Sequence, residues 1–485
     1  MINQIFEGLY PAKLWDYFDQ ICQIPRPSKH EEKIVDWLLE FAEQNGLEGK
    51  RDSIGNVLIS KPASSGMEDR KTVVLQSHVD MVGEKNNDKQ HDFFVDPIIP
   101  VMDAGWIKAD GTTLGADDGI GIAAQLALLT SDDIPHPPLE CLFTVDEETG
   151  LTGAFNLEEG FFEGRTLINL DSEDEGELFI GCAGGIDTLA FFNPDYEKSP
   201  EGYTGLEIKV TGLKGGHSGD DIHKGLGNAN KILVRLLRKL TLDLGFRLAT
   251  LDGGNLRNAI AREASAIGLV PSKYKEEARV ALNMLSHDME QELRHADSGV
   301  KLWLGSCDQP NEVFSVDFQN RLLNAIYGCP HGVVAWSQEI EGLVETSTNL
   351  ASVKSKGDEI LITTSQRSSV ENARDNIANM VSSVFELADA RVEHSDGYPG
   401  WEPNMESPVL DVSVSTYKKL FENEPEVKAI HAGLECGLFL QKYPDMDMIS
   451  IGPTIKGAHS PDEGLEIETV GKFWDHLLEI LKTLK

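Results

Sequence analysis

The sequence predicts an α/β protein: a doubly wound mixed sheet interrupted by an inserted α+β domain. Three observations predict it. Short continuous apolar runs, TVVLQS (72–77), LECLFTV (139–145) and TLINL (166–170), read as strands buried on both faces. A helical stretch, GIGIAAQLALL (119–129), lies between the first two, and strand, helix, strand is the order of a doubly wound sheet. After CAGG (182–185) the pattern changes to alternating strands such as LEIKV (206–210), and beyond residue 404 the first pattern returns.

In chain order, Ser28 and Glu31 read as a capping box. Ile34, Trp37, Leu38 and Phe41 then recur at helical spacing until Asn45-Gly46 ends the helix. The three buried strands and their helix follow. The inserted block carries helices at NANKILVRLLRKL (228–240) and ENARDNIANMVSSVFELA (371–388), and ends near HSDGYPGWEPN (394–404), a Gly/Pro-rich stretch of linker type. VKAI (427–430), a helix from Gly433, MISI (448–451) and a final helix resume the sheet domain. The expected boundaries are 1–184 and 398–485 for the two parts of that domain and 185–397 for the insert. No short-period repeat suggests a solenoid.

A chain of 485 residues is too long for one hydrophobic core, and 40% hydrophobic with 25% charged residues is the composition of a soluble globular protein. The formal net charge of −37, from 43 basic and 80 acidic residues, works against nucleic acid or an anionic membrane as partner. The first residues, MINQIFEGLYPAKLWDYF, lack a basic region followed by an apolar core, and no apolar run approaches a membrane span, so a cytoplasmic protein is expected. Six cysteines are scattered without CxxC spacing, which argues against a disulfide framework or a zinc ribbon.

Chemistry concentrates where the buried strands end. TVVLQS leads into His78-Val79-Asp80, LECLFTV into Asp146-Glu147-Glu148, TLINL into Asp171, and MISI into a loop carrying His459. GADDG (115–119) adds Asp117 and Asp118 just ahead of a helix. Open α/β sheets bind ligands at the carboxyl ends of their strands, so these residues are expected to converge. An isolated acidic triplet is tolerated in any solvated turn, and a lone histidine after a strand is ordinary. Two imidazoles and at least four carboxylates in one crevice are a different matter, because so many acids stay ionised only beside cations. Nitrogen and oxygen ligands without thiolate suit zinc, cobalt or manganese, and a pair of such ions needs a bridging carboxylate. Adjacent glutamates then take two roles, one as ligand and one as general base towards water.

The motifs SHVDMV, GADDG, DEETG, NLDSED and GAHS, in this order, resemble the co-catalytic zinc peptidase family that includes aminoacylases, glutamate carboxypeptidases and dipeptidases. Within it, the long insert and HAGLECG (431–437) are most similar to members that cleave Xaa-His dipeptides. The resemblance implies two divalent metal ions, zinc with cobalt or manganese as substitutes. His78 and Asp171 would hold one, Glu148 and His459 the other, and Asp117 would bridge them. It implies that Asp80 orients His78, that Glu147 is the general base, and that the Asp117–Asp118 peptide bond is cis. In GGHSG (215–219), His217 matches a histidine that reaches the oxyanion across a dimer, although a turn histidine flanked by glycines fits the motif equally. Asn258 and Arg367 match substrate-contacting positions, the arginine at a terminal carboxylate, and Gly433 would lend backbone to that pocket. The insert would then serve as lid and homodimer contact.

What this implies is a dinuclear metallopeptidase acting on unblocked dipeptides, Xaa-His and carnosine-like ones included. The alternatives are a tripeptidase or N-acyl-amino-acid deacylase of the same family, and a scaffold without catalysis. One departure stands out: many relatives carry lysine after the acidic pair of GADDG, where this chain has Gly119.

Overall fold

The computed structural model describes residues 4–356 and 358–485. The chain forms two compact units. One comprises the chain up to Gly181 with Pro403–Ala429 and Leu434–Lys485; the other comprises Cys182–Glu402 with Ile430–Gly433.

The first unit is built on an eight-stranded sheet. Its order is Glu48–Arg51, Val57–Lys61, Leu139–Thr144, Val73–His78, Thr166–Asn169, Asp447–Ser450, Glu177–Cys182 and Glu426–Ile430. The centre is parallel and the flanking strands pair antiparallel, so the sheet is mixed. Val73–His78 and Leu139–Thr144 are buried at every position, as continuous apolar runs require. The edge strand Glu48–Arg51 is exposed throughout and carries three charges, which discourages pairing with another chain.

The helix Ala116–Leu129 lies against Val73–His78 and against the helix Ala12–Cys22. Its contact with the strand is close enough to need glycine: a Cβ at Gly121 would sit 2.5 Å from Ser77 Oγ. The Asp117–Asp118 peptide bond is cis. A smaller four-stranded sheet, ordered Ile455–Lys456, Gly464–Glu466, Trp106–Ala109 and Pro100–Asp103, carries the hairpin that holds His459.

Two local expectations are corrected here. The capping box of Ser28 and Glu31 does not form: the helix begins at Glu32, and its cap makes no side-chain hydrogen bond. Glu31 Oε1 instead accepts from the amides of Lys29 at 2.6 Å and Asp146 at 3.2 Å. Asp146 has φ of 50°, and a buried turn of that shape needs an acceptor for its amide. The helix expected from Gly433 begins at Glu435.

The second unit is a nine-stranded sheet. Eight strands run in the order Lys301–Ser306, Tyr203–Thr211, Ala264–Pro271, Arg247–Gly253, Val344–Lys356, Glu359–Ser368, Gly184–Phe192 and Arg391–His394, and Gly332–Trp336 also pairs with Val344–Lys356. These pairings are antiparallel. Helices Ala229–Leu244, Val316–Gly328 and Glu371–Glu386 join it through one core, in which Leu233, Leu237, Phe318, Leu322 and Phe385 meet Ile208, Val210 and Ile362. The stretch read as a linker is packed rather than free. Trp401 is buried and exchanges two 2.9 Å backbone hydrogen bonds with Cys182, and Tyr398 pairs with Gly185.

Candidate metal centre

Each central strand of the first unit hands over a donor at its carboxyl end. His78 is the last residue of its strand, and its imidazole is 1% exposed. Glu147 and Glu148 begin a four-residue helix, Glu147–Gly150, set at the end of Leu139–Thr144. Asp171 follows Thr166–Asn169, and His459 stands at φ of 62° in the hairpin loop.

These side chains meet around Asp117. Its Oδ1 lies 2.8 Å from His78 Nε2 and its Oδ2 lies 3.2 Å from His459 Nε2. Asp171 Oδ1 is 3.3 Å from His78 Nε2, and Glu148 Oε2 is 2.9 Å from His459 Nε2. Donor atoms of His78, Asp117 and Asp171 all lie within 4.8 Å of one another, as do those of Asp117, Glu148 and His459. One carboxylate thus serves two sets of three donors. The set fits a pair of borderline divalent cations: it contains nitrogen and oxygen donors only, its shared member offers one oxygen to each side, and Glu148 Oε1 is buried without a hydrogen-bond partner.

Asp80 lies behind His78, with Oδ1 3.4 Å from Nδ1. Its two oxygens also accept from the amides of Glu147 at 3.0 Å and Glu148 at 3.2 Å. One buried carboxylate therefore aligns a histidine on one strand and the glutamate pair on the next. Asp146 holds the same turn: Thr149 Oγ1 donates to its Oδ1 at 2.5 Å, and Thr152 Oγ1 donates to its Oδ2. The acidic triplet of the sequence thus divides into one acid that shapes the turn and two that face the centre.

The electrostatics demand positive charge. Burial opposes a charged imidazole at His78, yet Asp171, Asp117 and Asp80 outweigh it and raise its pKa well above the usual value. Hydrogen bonds to Asp117 and Glu148 push His459 up to about 11. Burial pushes Asp171 up to about 7. Burial, reinforced by Asp171, Glu148 and Glu435, raises Glu147 well above the usual carboxylate range. Without other cations, protons are drawn to the cluster.

Sequence reasoning passed over Glu435, although it lies inside the HAGLECG stretch. It is fully buried, and its Oε2 accepts from Gln76 Nε2 at 2.6 Å and Thr144 Oγ1 at 2.7 Å. Gln76 Oε1 accepts in turn from Asn169 Nδ2 at 2.6 Å. This network joins three donor-bearing strands beneath the centre. No local pattern marks it, since the helix Glu435–Lys442 also carries Gln441 and Lys442.

The other four predicted residues belong to the second unit. His217 is half-buried, with Nδ1 3.0 Å from Asp220 Oδ2, and its backbone bridges to Ala259. Asn258 is exposed, and its carbonyl accepts from Ser218 at 2.8 Å. Arg367 is buried; Nη1 donates to Tyr398 Oη at 2.9 Å, and its Nε has no partner. A Cβ at Gly433 would lie 2.8 Å from the Tyr398 ring, and one at Gly185 would lie 2.6 Å from it, so two glycines make room for the tyrosine that orients the arginine. Tyr398 and His431 are the residues that sequence reasoning missed here. His431 Nε2 is 2.7 Å from Ser347 Oγ.

Residues 74–483 match the model of peptidase family M20/M25/M40. The chain is 45% identical over 476 residues to the cytosol non-specific dipeptidase of Escherichia coli K12, covering 98% of each chain. Its structure is similar to that of aminoacylhistidine dipeptidase from Vibrio alginolyticus, with a TM-score of 0.90 and 44% identity over 99% of this chain and 98% of that one. Aminopeptidase PepT from Bacillus cereus shares the fold at a TM-score of 0.57 and 17% identity, over 98% of both chains.

Proposed function

The chain belongs to peptidase family M20/M25/M40, and from that premise we propose that it is a cytoplasmic two-metal dipeptidase cleaving unblocked dipeptides, with Xaa-His and carnosine-like substrates preferred. The observation that carries the reading is the double use of Asp117, one oxygen towards each imidazole. His78 and Asp171 would hold one cation, Glu148 and His459 the other, and zinc is the metal this donor set suits, with cobalt or manganese able to replace it. When bound, the cations supply Lewis acidity that activates water and polarises the scissile carbonyl.

The protein's own groups do the rest. Asp80 would accept a hydrogen bond from Nδ1–H of His78, fixing the tautomer that leaves the Nε2 lone pair directed at the centre. Glu147 takes a proton from the attacking water and delivers it to the leaving amine. In the inserted unit, which acts as lid and pairs with a second copy, His217 donates to the developing oxyanion. The guanidinium of Arg367, oriented by Tyr398, receives the terminal carboxylate, with Asn258 and the Gly433 backbone beside it. No helix among the described residues is long and apolar enough to cross a membrane.

Hydrolysis of Ala-His and N-acetyl-histidine by metal-loaded and chelator-treated protein tests the reading. Turnover of Ala-His that chelation abolishes and zinc, cobalt or manganese restores is expected. Preference for the acetylated compound would make the protein a deacylase, and full activity of metal-free protein would remove the two-metal mechanism.

A further inference from the structure

Two buried charged side chains bind the backbone of the loops that carry the centre. Glu463, 2% exposed, accepts four successive amides: Leu114 at 2.7 Å and Gly115 at 3.0 Å on Oε2, Ala116 at 2.8 Å and Asp117 at 3.4 Å on Oε1. Arg26, also 2% exposed, donates through Nη1 to the carbonyls of Val79 at 2.9 Å and Asp80 at 2.7 Å, and through Nη2 to Gly115 at 2.5 Å. Arg26 thus ties the turn after His78 to the turn before Asp117. Glu463 ties that second turn to the hairpin of His459.

The fit around the guanidinium is tight. A Cβ at Gly115 would lie 2.8 Å from Arg26 Nη2 and 2.8 Å from Met81 Sδ, and Gly115 has φ of 68°. A Cβ at Gly119 would lie 2.7 Å from Nη2. A larger residue after the acidic pair would have to displace the guanidinium, and Arg26 itself brings positive charge to that spot.

Burying two ionised groups is costly unless each is fully hydrogen-bonded, and an apolar pair would serve packing as well. What the glutamate does in addition is occupy the amides at the start of the helix Ala116–Leu129. Such amides attract carboxylates. Left open, they would compete for Asp117 and Asp118; filled by Glu463, they leave the Asp117 side chain facing both imidazoles. We propose that Glu463 and Arg26 are positioning residues that hold Asp117 between the two imidazoles and so set the affinity for both cations. The proposal rests on the two-metal reading above.

Calorimetric titration of chelator-stripped full-length protein with Zn²⁺ tests it, on wild type, E463Q and R26K. The amide of E463Q turns donors towards two of the four backbone N–H groups. R26K keeps the charge but loses the three-way fork. Wild type is expected to bind two equivalents. In both variants both equivalents should bind about 10- to 100-fold more weakly, the range for groups that orient metal ligands. Excess Zn²⁺ should then restore kcat, which a general loss of folding would not allow. Two equivalents bound with wild-type affinity in the variants would overturn the proposal, as would weakening of one equivalent alone, since Asp117 serves both sets of donors. If E463Q does not fold, R26K decides between the same outcomes. Fewer than two equivalents in wild type would defeat the two-metal reading itself, a separate failure.

Discussion

His78 and His431 are both buried imidazoles, one in each unit, and their surroundings drive them in opposite directions. Carboxylates raise the pKa of His78 well above normal against the effect of burial, whereas burial and the Arg367 guanidinium push His431 down to about 3. The first belongs to a cluster of carboxylates. The second stays neutral beside a cation whose Nε is buried and unpartnered. The difference teaches that burial alone does not fix the charge of an imidazole: surrounding carboxylates favour positive charge in one cluster, and a neighbouring guanidinium opposes it in the other.

The sharpest way to break this contrast is to remove the acid that serves both imidazoles of the first cluster. Asp117→Ala should lose both cations by elemental analysis and fall to background activity, whereas Glu147→Ala should keep both and lose about 10²–10⁴-fold in kcat, as removal of a general base does. Equal metal loss in the two variants would erase the distinction between ligand and base. His217→Ala should follow with a loss of about 10²–10³-fold in kcat at normal metal content, the usual cost of one oxyanion donor. Mixed with Glu147→Ala under demonstrated subunit exchange, it should recover towards about a quarter of wild-type activity, since roughly half the dimers are mixed and each has one intact site. Absence of recovery would place His217 in its own chain's chemistry.

Arg367→Lys probes the second cluster. Loss of the planar fork should raise KM by about ten- to a hundredfold, the worth of hydrogen bonds to a charged group, with kcat less affected. A change in kcat alone would count against carboxylate binding. The smallest effect concerns pH. His431 has a folded pKa of about 3, below the 6.5 of the free side chain, so its contribution to stability is present above pH 6.5 and lost as pH falls towards 3. Thermal melts between pH 7 and 4 should therefore show a shallower decline for His431→Asn than for wild type; an identical slope would assign the acid sensitivity to other buried histidines such as His331 and His476.

The parts of the molecule legible in the sequence were those with a local pattern. Continuous apolar runs marked the central strands, and polar residues at their ends marked His78, Glu147, Glu148 and Asp171. Glu463, Arg26, Glu435 and Tyr398 left no such mark, because each acts on backbone or side chains brought near by folding from distant parts of the chain. The false capping box at Ser28 and Glu31 has the same cause. Its glutamate had the right spacing for a local bond, but the amide of Asp146, 115 positions further on, engages it in the folded protein. Gly119 shows the reverse case: a departure visible in the sequence became intelligible only when Arg26 was found against it.

The strand order of the first unit has a consequence for biosynthesis. Asp447–Ser450 lies between Thr166–Asn169 and Glu177–Cys182, so an interior position of the sheet is filled by a segment synthesised only after the whole second unit. Until then the emerging chain has an unfilled slot beside Thr166–Asn169, a template for wrong pairing that a chaperone would have to shield. His459 and Glu463 arrive on the same late segment. A nascent or prematurely terminated chain thus lacks a donor of the second trio and the clasp on Asp117 together, which keeps a peptide-cleaving centre from assembling while synthesis is still under way.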